Sequence, residues 1–181
     1  MKNLVSFFFL LLLLLVALVT QDLLSGSIGP YQAHLFFVPL VFCLGVLVLP
    51  FPLALLFGLI TAVLEGLMVL QFQHDRVEIG LGWFIFFFMA WSLLLQFVSD
   101  LINGIRWELY ALGSALCTAT FLLGELLLVC CNRGHFSLTG TAIVFILVPS
   151  AGALFMAPLF YYLLQFLLPP VRTIRPAGAT V

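Results

Sequence analysis

Two carboxylates, Glu65 and Glu125, each stand inside a long apolar run, and they are the residues best placed to do chemistry. A charge near the centre of a bilayer costs several kcal/mol, so an acid there faces protein or water and has a partner. One chemistry open to them is the binding of a proton or another cation. The other reading is structural: neutral or hydrogen-bonded carboxyls that fix which helix faces meet. The other runs hold no clustered polar set. We therefore read Glu65 and Glu125 as packing and specificity groups and keep the cation site as the alternative.

The residues around each acid suggest how it is held. Ala54, Gly58, Ala62 and Gly66 recur at every fourth position, a small-residue stripe along one helix face. Glu65 follows Gly58 by seven residues, two helical turns, and borders that face. Ala111, Ala115 and Ala119 form a similar stripe, and Ser114, Thr118 and Glu125 form a polar face beside it. Such stripes let backbones approach closely, and hydroxyls can bond across the contact. They predict that the third and fifth apolar runs are the buried helices, with the carboxyls neutral or hydrogen-bonded to nearby hydroxyls and amides.

No other constellation for catalysis stands out, so no catalytic or metal-binding residue is assigned. His34, His74 and His135 fall in three different loops and read as interfacial residues. There is no H-E-x-x-H, phosphate-cradling Gly-rich loop or nucleophile elbow. Cys43, Cys117, Cys130 and Cys131 lie in or beside apolar runs without a C-x-x-C, and read as small apolar residues. No cofactor is expected.

The elements that must carry the acids follow from composition. Only 13 of 181 residues are charged, six basic and seven acidic, while 65% are apolar and 20 are Phe. A soluble domain of this size carries about three times that charge and needs a polar surface. A soluble enzyme and a disordered chain are excluded. A net charge of -1 gives no field for nucleic acid. What remains is an all-α, polytopic transmembrane helical bundle of about six spans, one integral membrane domain over 1–181 in contact with lipid.

The spans are expected at about 4–24, 35–49, 53–70, 81–98, 109–131 and 141–168. They are continuously apolar and do not alternate, which argues for helices over a barrel. Leu49-Pro50-Phe51-Pro52 is a tight turn that makes spans two and three a hairpin. Pro149 and Pro158 offer bend sites in the last span. The first run also has the Lys2-plus-apolar look of a signal peptide, but its length fits a retained span. Trp83, Trp91, Trp107, Tyr110, Tyr161 and Tyr162 are mostly near span ends and fit an interfacial belt. Lys2, Arg106, Arg172 and Arg175 on one side against Arg76 and Arg133 on the other place both termini in the cytoplasm.

This layout resembles the MreD family of bacterial rod-shape-determining proteins. The likeness runs over spans one to six. It rests on the first span and its loop, the apolar second span and the turn Leu49-Pro50-Phe51-Pro52. It continues through the Gly-led helix from Gly58 to the acidic residue Glu65 and then Gly66, followed by Ile79-Gly80, Glu125 in the fifth span and the closing helix with Pro158. The family usually has Asp where Glu65 stands. The resemblance implies a non-enzymatic scaffold of the cell-elongation and peptidoglycan-synthesis machinery in the bacterial inner membrane. It implies binding to the bitopic MreC protein, and indirectly to the MreB filament and the wall-synthesis enzymes, through helix and loop docking.

The alternative is a substrate-binding subunit of a vitamin transporter of the energy-coupling-factor type, a group thought to share the MreD fold. Such subunits typically carry Ala-x-x-x-Ala in the first span, where this chain has only Ala17 between Phe7 and Val19. They also need a polar pocket, for which the spans offer Glu65, Glu125, Ser92, Gln96, Ser114 and Thr118. A membrane chaperone or lipid-interacting factor is a third class.

Overall fold

Runs of Leu, Phe and Val in lipid leave the backbone only its own N–H and C=O groups to bond, which dictates helix. The computed structural model describes residues 2–25, 37–72, 80–102, 107–133 and 140–167. These form α1 (Lys2–Ser25), α2 (Phe37–Val48), α3 (Phe51–Phe72), α4 (Leu81–Leu101), α5 (Trp107–Arg133) and α6 (Gly140–Leu167), with no strand among the described residues. Five of them, α1 and α3 to α6, are long and apolar enough to cross a membrane. The chain is an all-helical, polytopic bundle of multi-pass membrane type.

The second expected span is the exception. Helix α2 has 12 residues, about 18 Å of rise, against roughly 30 Å of hydrocarbon. Pro39 sits in its first turn, where a missing N–H costs nothing. At its other end the Leu49 N–H donates to the Gly45 carbonyl at 3.0 Å. The Ala54 N–H then donates to the Pro50 carbonyl at 2.9 Å as α3 begins. Helices α2 and α3 thus form the expected hairpin.

The enclosed helix is α2, and not α3 and α5 as their small-residue stripes suggest. Every residue from Val38 to Leu47 is buried, and α2 packs against each of the other helices. Leu56, Leu59 and Leu67 of α3 and Leu112, Leu116 and Leu123 of α5 are exposed. The physical reason is that a stripe marks where two backbones approach, not how many helices surround one.

The α3 stripe does face neighbours. Ala54 and Ala62 are fully buried. A Cβ on Gly58 would collide with the Ser92 hydroxyl of α4. One on Gly66 would lie 2.7 Å from Leu81 Cδ1. On α5, Ala111 is buried while Ala115 and Ala119 are half-buried. Helix α3 therefore pairs closely with α4, and α5 with α6.

An aromatic core joins α4 to its neighbours. Phe42 of α2 meets Phe88 edge-on at 4.8 Å, and Phe121 of α5 packs 5.1 Å from Phe87 and 5.7 Å from Phe84. Helix α1 buries Phe7, Leu10, Leu14, Ala17 and Leu18, one face at helical spacing, and turns Phe8, Leu12 and Val19 outward. Helix α6 runs unbroken through Pro149 and Pro158.

Candidate functional site

One end of the bundle gathers the last turns of α1 and α3 with the first turns of α2 and α4. Glu65 lies there, 3% exposed. Gln21 of α1 donates from Nε2 to Glu65 Oε1 at 3.1 Å. The Gln21 Oε1 accepts from the Val38 N–H at 3.4 Å. That N–H belongs to the first turn of α2, where backbone donors have no partner inside the helix. One amide thus ties three helices together and sets the acid beside the positive end of α2. The amide partner expected for a buried carboxyl is present.

The first turn of α4 brings the second acid to the same level. Leu81 and Phe84 pack on Gly66, the residue after Glu65. The Trp83 ring packs on Gly124, the residue before Glu125. Glu125 is half-buried on α5, and α3 and α5 do not pack directly on one another. Two buried polar atoms at this end have no hydrogen-bond partner: Glu65 Oε2 and Trp83 Nε1.

A second amide serves the other end of α2. In a continuing helix the Val46 carbonyl would receive the N–H of residue 50, but Pro50 has none. Gln96 of α4, 4% exposed, donates from Nε2 to the Val46 carbonyl and to the Leu49 carbonyl, the latter at 3.1 Å. Between the ends, the Tyr110 hydroxyl of α5 donates to the Leu40 carbonyl at 3.1 Å. Tyr110 is fully buried and is not part of an interfacial belt.

Ser114 and Thr118 are fully buried, but they do not bond between helices. Their hydroxyls donate within α5, to the Ala111 carbonyl at 3.0 Å and the Ser114 carbonyl at 2.8 Å. A hydroxyl in a helix finds the carbonyl three or four residues back before it finds a neighbour. Thr61 and Ser92 do the same, to the Phe57 and Phe88 carbonyls.

Of the residues read from sequence, the structure brings Glu65 and Glu125 to one end and leaves Ser114 and Thr118 along α5. Gln21 was not singled out; its signal is an amide one turn before the end of an apolar run whose bundle also holds a buried acid. His34, His74, His135, Arg76, Arg106, Arg172 and Arg175 lie outside the described residues. Cys43 of α2 and Cys117 of α5 are buried, unpaired by any disulfide. Among the described residues no three His, Cys, Asp or Glu side chains converge. The arrangement can hold helices in register. No protein-family model, curated protein or solved structure matches the chain.

Proposed function

We propose that the chain is a non-enzymatic scaffold of the bacterial inner membrane, similar to MreD, serving the cell-elongation and peptidoglycan-synthesis machinery. The observation that carries this reading is where the polar side chains of the spans are spent. Gln21, Gln96, Tyr110, Ser92, Ser114 and Thr118 all bond backbone groups of the bundle itself. Four of the six residues offered for a vitamin pocket, Ser92, Gln96, Ser114 and Thr118, are among those so committed. What the bundle presents outward is apolar, as on α1 and α6 with Phe8, Leu12, Val148 and Phe155. Such faces suit lipid and the single span of a bitopic partner.

In this reading both termini are cytoplasmic, and the partner is an MreC-like bitopic protein that links the bundle to the MreB filament and the wall-synthesis enzymes. The test is purification of the tagged full chain from native membranes in mild detergent, with the co-purifying proteins identified. Recovery of an MreC-like protein, with rounding of rod-shaped cells on depletion, is the expected result. Recovery of an ATPase module with a bound vitamin would overturn it in favour of the transporter subunit.

A further inference from the structure

A backbone carbonyl in hydrocarbon needs a donor as much as a buried side chain does. Helix α6 carries two prolines inside it, Pro149 and Pro158. Each removes the N–H that would meet the carbonyl four residues back, that of Phe145 or Leu154. In a membrane helix such a loss is made good by a neighbouring helix, a hydroxyl or water. Pro149 has help from the chain itself. It is buried against the bundle, and the Ser150 hydroxyl after it donates to the Ile146 carbonyl at 2.6 Å.

Pro158 has no such help. Leu159 follows it, an exposed side chain without a donor. Leu154 is exposed too, and among the described residues no side chain donates to its carbonyl. The chain stays α-helical here, so no tightened turn hands that carbonyl another N–H. The membrane-crossing stretch of α6 runs from Ile143 to Leu163. Leu154 stands 11 residues from one end and nine from the other, about 17 Å and 14 Å along the axis. Water and headgroups are therefore out of reach, and acyl chains have nothing to donate. The helices of this chain that pack on α6 are α5 and α2, against its buried side with Ala153 and Ala157.

We propose that the outward face of α6 around Leu154 and Pro158 docks one transmembrane helix of another protein, which donates a hydrogen bond from a mid-span Ser, Thr, Asn or Gln side chain to the Leu154 carbonyl. The face lets a second backbone come close. Ala151 is exposed and stands seven residues before Pro158, two turns along the same face, and both side chains are short. Phe155 projects between them as a knob for the incoming helix. A second copy of this chain matches the carbonyl less well. Its Ser150 and Thr120 hydroxyls are spent within their own helices. Its Tyr162 lies eight residues from Leu154, about 12 Å along the axis. The site belongs to α6 alone and holds whichever protein brings the helix, so it stands or falls separately from the scaffold reading.

The test places the full chain, with a fluorescent tag at its C-terminus, in phosphatidylcholine vesicles with a labelled polyleucine helix of about 20 residues. The helix is flanked by lysines and carries either Asn or Leu at its centre. Energy transfer against the peptide-to-lipid ratio reads binding. The Asn helix is expected to bind the wild type about 3-fold to 20-fold more tightly than the Leu helix, the range of one hydrogen bond between membrane helices. Pro158→Ala returns an N–H to the Leu154 carbonyl with a residue that suits a helix, and is expected to make the two helices bind equally. Ala151→Leu, at an exposed position that leaves the bundle untouched, blocks the approach and is expected to lower the same preference. Equal binding of both helices to the wild type overturns the proposal, as does an Asn preference that survives either substitution. Donor- and acceptor-tagged copies without peptide read self-association. Transfer between copies that Pro158→Ala abolishes would give the face to a second copy and overturn the choice of a foreign helix.

Discussion

Replacing Gln96 with Leu is the sharpest test of how α2 is held. The side chain is 4% exposed, and Leu fills nearly the same volume, so packing changes little while the amide disappears. Two carbonyls lose a donor, those of Val46 and Leu49. A buried acceptor left bare costs about 1–3 kcal/mol in a soluble core. Side-chain hydrogen bonds between helices in membrane bundles average about 0.6 kcal/mol and reach about 1.7. Two such bonds give a loss of roughly 1–3 kcal/mol. The Val46 bond falls toward the upper end because Pro50 offers no N–H to take the amide's place. Tyr110→Phe makes the useful contrast. It removes one bond, to Leu40, whose carbonyl lies inside α2 where helical donors are at hand, so about 0.6 kcal/mol is expected. The assay is reversible unfolding of the full chain in mixed micelles, with Phe97→Leu as a lipid-facing control at a position 68% exposed. If Gln96→Leu is no less stable than Phe97→Leu, the account of α2 as a helix capped by side chains is wrong.

Three further outcomes follow from the close approaches. Gly124→Leu displaces the Trp83 ring and costs about 1–3 kcal/mol, with a shift in Trp83 emission in a Trp91→Phe, Trp107→Phe background; unchanged emission would count against that contact. Gly58→Ala meets the Ser92 hydroxyl and destabilises the bundle, and Ser92→Ala in the same chain recovers at least half the loss in a double-mutant cycle. Gly82→Ala on α4 meets nothing within 4 Å and is neutral or stabilising by up to about 1 kcal/mol, measured by the same unfolding assay.

The long helices were legible in the sequence because a run of Leu and Phe in lipid has one way to satisfy its backbone. Their packing order was not. In water, a residue's polarity reports which side is buried; in a bilayer, Phe155 facing outward at 79% exposure and Phe42 at the centre are equally apolar. The stripe from Ala54 to Gly66 located the approach to α4 but said nothing of α2, which carries one small residue, Gly45, besides Cys43. The signal for α2 was its shortness between Pro39 and Pro50. For the acids, the sequence showed that Glu65 and Glu125 were unusual, while their shared level depends on how Leu81–Phe84 seat against Gly66 and Gly124. The Gln21 and Gln96 caps were illegible for a related reason: each serves backbone groups 17 to 50 residues away.

The short central helix also constrains how the protein is made. A segment of 12 residues is too short to settle across a bilayer alone as it leaves the translocon. Its hairpin with α3 gives it a partner that can insert with it. The two ends of α2 are nevertheless dressed at different times. Gln21 is synthesised before α2, while Gln96 emerges only with the second half of α4. A nascent chain halted after α3 carries a helix with one end covered and the Val46 carbonyl without its Gln96 donor. The helix encoded second is thus completed only when the fourth arrives.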